Sequence, residues 1–446
     1  MRRIRDRLSE RGTQDATELA ERVREMAHPL REAGDLDPLL DRIGDARCVL
    51  LGEASHGTSE YYTWRARISE RLILEKGFSF IAVEGDWPDC YEVNRYVKGY
   101  PDSGTSAREV LEVFDRWPTW MWANEEIVEL VQWLRRHNEG LSEERVGFYG
   151  LDVYSLWESM EAVIAYLERV DPEAVDTARR AYKCFEPYGE DVREYARATA
   201  MVPTSCEDEV VEMLSELSGR LPEYRDDPES RFNAEQNALV VKGAEQYYRT
   251  MVRGSSASWN VRDRHMAETL ERLMRYHGPE ARAIVWEHNT HIGDARATDM
   301  ADASMVNVGQ LVREQRGAGD VVLVGFGSHR GSVIAGAEWG APMKRMRVPA
   351  ARESSWEDVL HRTGEEDKLL IFADAEDKGD LLKPRGHRAI GVVYEPARER
   401  YGNYVPTVLP HRYDAFVYLD ETQALHPLRV RTSEDGEPPE TFPSGV

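Results

Sequence analysis

The chain has 446 residues, 41% of them hydrophobic and 31% charged, enough to bury a large core in two or three domains. Its net charge of −24 argues against a nucleic-acid or anionic-membrane surface as the main partner. Arg outnumbers Lys 49 to 8, a bias of composition that carries no functional signal.

In chain order, residues 14–34 read as an amphipathic helix with Leu19, Val23, Met26 and Ala27 on one face. Strands are predicted at 47–52 and 79–84. A helix runs between them from Thr58 to Lys76, capped at Thr58 or Ser59 and ended by Gly77. This strand–helix–strand unit predicts a parallel crossover. A helix over 122–137 leads to a third strand at 146–151. From 155 to 278 only helical patterns appear, at 155–169, 173–185, 206–219, 232–253 and 260–276. Strands resume at 282–287, 320–326, 343–348, 369–373, 387–393 and 413–418. The pattern predicts an α/β fold with a central, mostly parallel sheet flanked by helices and an all-helical insertion between sheet strands. The expected parts are 1–154 and 279–432 as the α/β domain, 155–278 as the insertion and 433–446 as a flexible tail. The insertion is expected to line a substrate cleft with Tyr182, Phe185, Tyr247, Tyr248 and Trp259. The competing reading packs those rings helix against helix.

No apolar run approaches the ~20 residues a membrane span needs. The amino terminus, Met1-Arg2-Arg3-Ile4-Arg5-Asp6-Arg7, has no apolar stretch behind it, so a cytoplasmic location is expected. Cys48, Cys90, Cys184 and Cys206 form no CxxC pair, and neither a disulfide framework nor a zinc ribbon is expected.

Two motifs carry the chemistry, each leaving a predicted strand. The first is Leu51-Gly52-Glu53-Ala54-Ser55-His56-Gly57, and the second is Trp286-Glu287-His288-Asn289-Thr290-His291. Ligands gather at the carboxyl ends of α/β strands, so the two motifs predict one acid/base site. Histidine, with an ordinary pKa near neutrality, suits His56 to take a proton from water. Glu53 would orient its imidazole. Arg65 lies on the helical face that points back towards His56, where it would clamp an oxyanion or carboxylate. Glu84, Asp86 and Asp152 decorate the ends of the second and third strands. His288 and His291 would supply either a second acid or metal ligands, and the metal candidates are His56, His288 and Glu84. A divalent metal is thus possible but not required. Asp86, Trp120, Asp152 and Asn289 are the candidate substrate contacts, Trp120 within the aromatic stretch Trp117-Pro118-Thr119-Trp120-Met121-Trp122. There is no P-loop and no dinucleotide fingerprint, and Gly325-Phe326-Gly327-Ser328-His329 only superficially resembles a nucleophile elbow.

These motifs, with Glu84-Gly85-Asp86-Trp87-Pro88-Asp89, Gly150-Leu151-Asp152, Ser258-Trp259-Asn260-Val261-Arg262-Asp263 and Glu399-Arg400-Tyr401-Gly402-Asn403-Tyr404, resemble the erythromycin esterase family over about residues 45–425. Some members of that family carry the label of succinoglycan biosynthesis proteins. The resemblance implies an α/β fold with a helical insertion. It also implies hydrolysis of a carboxylic ester or macrolide lactone, the chemistry of the family's antibiotic-resistance enzymes, by water activated at a histidine. Carried over, that histidine is His56, surrounded by Glu53, Arg65, Glu84 and either His288 or His291. Members differ in metal dependence, so a metal stays open. The expected partner is a small ester or lactone, with no nucleic acid and no membrane. The alternative is a metal- or small-ligand-binding protein that uses the same His/Glu cluster without turnover.

Overall fold

The computed structural model describes residues 19–141, 144–185, 206, 227–251, 256–372 and 379–429. Its strands form a mixed sheet of nine, flanked by helices, and a separate two-stranded ribbon. In chain order they are β1 (Ala27–Pro29), β2 (Cys48–Leu51), β3 (Phe80–Val83), β4 (Gly147–Gly150), β5 (Ala283–Trp286) and β6 (Val321–Ala335). There follow β7 (Lys344–Val348), β8 (Lys368–Ile371), β9 (Arg385–Arg388), β10 (Tyr404–Thr407) and β11 (Ala415–Thr422). The chain divides into two compact units. One comprises Met1–Gly77, Ile284–Glu338 and Pro342–His426, and the other Phe78–Ala283, Trp339–Ala341 and Pro427–Val446.

In the first unit β6 is the hub. It pairs parallel with β2 and β11 and antiparallel with β7, while β11 and β1 both run antiparallel to β8. Every residue of β2 (Cys-Val-Leu-Leu) is buried, as expected of a parallel strand covered on both faces. The helix Ser59–Lys76 follows it. Gly77 ends that helix in the left-handed region, φ 66°, with its N–H on the Leu72 carbonyl.

Three features of this unit differ from expectation. The helix expected over 14–34 is helical at 19–26 and then gives way to β1. Pro29 steers His28 to extended backbone and lacks a donor, which suits the sheet margin where β1 lies. The strand expected to stop at 326 continues to Ala335. Its glycines make room for rings: a Cβ on Gly325 would meet the Tyr413 ring at 2.6 Å, and one on Gly327 the Phe416 ring at 2.8 Å. The Gly-Phe-Gly-Ser-His stretch is therefore strand interior and not a turn. Lastly, β10 had no counterpart in the sequence reading, and it pairs antiparallel with β9.

In the second unit β3 and β4 pair in parallel, Phe80 opposite Gly147 and Val83 opposite Gly150. Its described helices after β4 are Leu156–Val170, Val175–Tyr182, Ser230–Met251 and Ser256–His277, and no strand occurs among the described residues between them. The helix expected over 206–219, apart from residue 206, and the tail after 432 lie outside the described residues. Tyr182, Phe185, Tyr247 and Tyr248 sit in one core cluster with Val163, Leu167 and Val241. Trp259 is buried as well. Tyr182, Phe185, Tyr247 and Tyr248 thus pack in the interior of this unit, as in the competing reading. Cys184 and Cys206 form a disulfide across 22 residues, where no disulfide framework was expected. Spacing alone could not show that these two approach to a Cα–Cα distance of 5.7 Å. Cys48 and Cys90 are buried and take no part in that disulfide. Among the described residues no helix is long and apolar enough to cross a membrane.

One buried histidine in this unit makes stability depend on pH. Burial, reinforced by the nearby Arg272 charge and opposed by Asp152, holds His265 down to about 3 from an ordinary 6.5. Below 6.5 the unfolded chain takes up a proton there that the folded chain refuses, so this contribution is lost as pH falls from 6.5 towards 3. His265→Leu should flatten the pH dependence of unfolding in that window by about one proton, roughly 1.4 kcal/mol per pH unit. Denaturant titrations of both proteins at several pH values measure this, and parallel curves would refute it.

Candidate active site

The first motif leaves β2 through Gly52 and Glu53. His56 Nδ1 lies 2.9 Å from Glu53 Oε1, and the two side chains are 3% and 1% exposed. A carboxylate only accepts, so Nδ1 carries the proton and Nε2 is the basic nitrogen. Arg65 Nη2 donates to the other oxygen, Glu53 Oε2, at 2.7 Å. Its guanidinium lies 4.4 Å from the Tyr62 ring centroid and 4.6 Å from that of Trp286. Trp286 is held in turn by its Nε1, which donates to Ser69 Oγ at 3.0 Å. Arg65 is fully buried behind Glu53. Of the oxyanion or carboxylate it was expected to clamp, it holds a carboxylate of the protein itself, that of Glu53. Arg67, on the same helix, stacks on Trp64.

The second motif leaves β5. His288 is the residue before the short helix Asn289–Ile292, and its Nδ1 accepts from the Thr290 N–H at 3.3 Å. The Thr290 hydroxyl lies 2.8 Å from the same nitrogen. Accepting at Nδ1 leaves the proton of the neutral ring on Nε2, so His288 is a donor where His56 is an acceptor. The two rings approach to 4.9 Å between centroids, tilted by 41°. Glu53, His56, Arg65 and His288 are thus brought together, although His56 and His288 lie over two hundred residues apart in sequence. His291 is fully buried one turn on, and its N–H donates to the His288 carbonyl.

Asn289, expected as a substrate contact, uses its amide on the protein. Nδ2 donates to the Phe326 carbonyl at 2.6 Å, and Oδ1 accepts from the Phe326 N–H at 3.2 Å. Two glycines of the first motif are set by close approach. A Cβ on Gly52 would stand 2.1 Å from Asn289 Oδ1, and one on Gly57 would stand 2.0 Å from the Ile334 carbonyl oxygen. Asn307, which the sequence reading missed, fastens the far side of the turn by donating to the Thr290 carbonyl at 2.7 Å. It gave no signal, being one polar residue at a helix start.

The remaining candidates belong to the second unit. Arg262 gathers two of them: Nε and Nη2 hold Asp152 at 2.9 and 2.6 Å, and Nη2 also donates to Glu84 Oε1 at 2.6 Å. The guanidinium packs on the Tyr154 ring. Arg262 was quoted in a motif but given no role, since nothing in sequence separates it from 48 other arginines. Asp86 pairs with Arg116, whose Nη1 reaches the Tyr154 carbonyl. Burial pushes Asp86 above its ordinary range, and burial together with the Asp86 charge pushes Asp89 up to about 8. Trp120 is fully buried, edge-on to Trp117, which in turn meets Trp339 at 4.6 Å. Among the described residues no three His, Cys, Asp or Glu side chains gather in a way that would hold a metal ion.

The family model described as erythromycin esterase matches residues 73–422. The chain belongs to the erythromycin esterase family. The matched stretch begins after the Gly52–Gly57 turn, so family membership rests on the rest of the chain. Within and around the family, the chain is similar to the erythromycin esterase type II of Escherichia coli, 22% identical over 382 residues, 77% of this chain and 85% of that protein. It is also similar to the putative hydrolase YbfO of Bacillus subtilis strain 168, 21% identical over 401 residues, 84% of this chain and 83% of that one. Among solved structures, a succinoglycan biosynthesis protein matches with TM-score 0.76 at 21% identity, covering 92% of this chain and 98% of that chain. A histidine-to-asparagine mutant of the erythromycin esterase EreC, in its open conformation, matches with TM-score 0.64 at 16% identity, covering 88% and 95%. These likenesses carry the fold.

Proposed function

We propose that this member of the erythromycin esterase family hydrolyses carboxylic esters or lactones. The observation that carries the reading is the buried Glu53–His56 pair beside a histidine of opposite tautomer, His288. Water bound at His56 Nε2 gives up its proton as it attacks the ester carbonyl. Glu53, already taking the Nδ1 proton bond, stabilises the imidazolium that forms. His288, with Nε2–H, donates to the oxygen that becomes negative in the tetrahedral intermediate. His56 then returns its proton to the leaving alkoxide. Arg65 acts through Glu53: its Nη2 bond to Oε2 holds the carboxylate aimed at Nδ1. The related type II esterase of Escherichia coli and the EreC histidine mutant, by their names, lend the substrate class support. A macrolide lactone is therefore the first large substrate to try.

The test is a panel of 4-nitrophenyl esters and macrolactones, assayed with and without chelator. Turnover that survives the chelator and disappears in the His56→Asn variant supports the reading. A well-folded wild-type protein that binds such compounds but turns over none of them would make it a binding protein instead.

A further inference from the structure

His387 lies outside both motifs, yet it ends a run of buried hydrogen bonds that reaches them. Its Nδ1 is 2.6 Å from Glu357 Oε1, and both side chains are buried. Its Nε2 is 3.3 Å from Asn289 Nδ2. Asn289 joins three segments at once. Its backbone N–H donates to the Glu53 carbonyl at 2.8 Å, its amide is clipped to Phe326 of β6, and its own carbonyl accepts from Arg412 Nη2 at 2.9 Å. Its Oδ1 occupies the space that a side chain on Gly52 would need. Because Asn289 directly follows His288, it fixes the register of His288 against the turn that carries Glu53 and His56.

The polarity of this run is determined throughout. The two Phe326 bonds decide which end of the Asn289 amide is nitrogen, and that end faces His387. The Nε2 of His387 must therefore accept, its proton must sit on Nδ1, and Glu357 must receive it. Glu357 also accepts from the Arg388 N–H at 2.8 Å. Burial pushes Glu357 up, but the His387 hydrogen bond, the Arg388 charge and the Arg388 N–H outweigh it and hold the carboxyl below its ordinary value. Burial likewise keeps His387 below its own, which favours the neutral ring. A protonated His387 would set N–H against N–H, and an amide flip to relieve that would sacrifice both Phe326 bonds.

We propose that Glu357 and His387 are positioning residues for the active site: they lock the Asn289 amide, and Asn289 holds the His288 turn in register with Glu53 and His56. The proposal rests on the ester-hydrolase reading for its kinetic consequence.

The experiment compares His387→Phe with His387→Gln in the full-length protein. His387→Phe removes the acceptor that faces Asn289, whereas the side-chain oxygen of His387→Gln restores one. A site loosened by a fraction of an ångström loses rate more than binding, so kcat of His387→Phe on a 4-nitrophenyl ester should fall about 10–10²-fold with KM changed less than about threefold. His387→Gln should recover most of that loss. In the resting proteins, ¹⁵N imidazole spectra should show His288 as the Nε2–H tautomer in the wild type and His387→Gln, and as a mixture in His387→Phe. If His387→Phe does not fold, Glu357→Met carries the same two readouts, because without an oxygen facing Nδ1 nothing fixes the His387 proton there. A folded His387→Phe with wild-type kcat and wild-type His288 tautomer overturns the proposal, as does a His387→Gln no better than His387→Phe. Failure of the hydrolase reading looks different: wild type and His56→Asn then show equal rates, while the substrate-free spectra still decide whether His387 positions His288.

Discussion

His56→Asn should remove ester hydrolysis and leave the fold standing. The expected fall in kcat is about 10²–10⁴-fold, the usual worth of a positioned general base. The asparagine amide nitrogen can stand close to the position of Nδ1 and keep its bond to Glu53. Glu53 therefore keeps a donor on Oε1 and Arg65 on Oε2, and neither buried charge is left alone. What disappears is the second ring nitrogen, the group proposed to take the proton from water. Far-ultraviolet circular dichroism and the melting temperature check the fold, and steady-state kinetics on a small ester check the chemistry. A folded His56→Asn protein with near-normal kcat would remove His56 from the mechanism.

The strand ends were legible because continuous apolar runs of four residues stand out: Cys48-Val49-Leu50-Leu51, Phe80-Ile81-Ala82-Val83 and Ala283-Ile284-Val285-Trp286 are β2, β3 and β5 nearly to the residue. Glu53 with His56 was legible because a three-residue spacing on one turn keeps the partners local. The meeting of His56 with His288 could be argued from topology, since both leave the carboxyl ends of strands, and β2 and β5 are neighbours in the sheet. What stayed hidden needs contacts between segments that no local pattern announces. Glu357 and His387 are 30 residues apart on a helix and a strand, and neither sits in a motif. Arg65 illustrates a subtler limit. Helical geometry pointed it in the correct direction, but only the depth of burial shows that it meets Glu53 and not the solvent-facing side of His56. The short edge strand β1 escaped because three residues, one of them proline, carry no periodicity.

Glu53→Gln should be as damaging to activity as His56→Asn and more damaging to the fold, and the contrast separates the two residues' roles. A glutamine amide can present its NH₂ to Nδ1 and force the imidazole into the opposite tautomer, with the proton on Nε2 where a base is needed. In a hydrolytic triad that change alone costs about 10⁴-fold in kcat. The stability cost has a different source. Arg65 is fully buried with its Nη2 on Glu53, so neutralising Glu53 leaves a buried guanidinium without its counter-charge. Breaking a buried pair from one side typically costs about 3–5 kcal/mol, offset here in part by the Tyr62 and Trp286 faces against the guanidinium. Chemical denaturation should therefore rank wild type and His56→Asn together, with Glu53→Gln clearly below them. Arg65→Met added to Glu53→Gln removes the orphaned charge, so the double variant should regain stability while staying inactive. If Glu53 and His56 act as one proton-accepting unit, as proposed, Glu53→Gln combined with His56→Asn should be no slower than the worse single variant. Rate losses that simply multiply would mean that the two residues act separately, and the dyad mechanism would fall even if each residue matters.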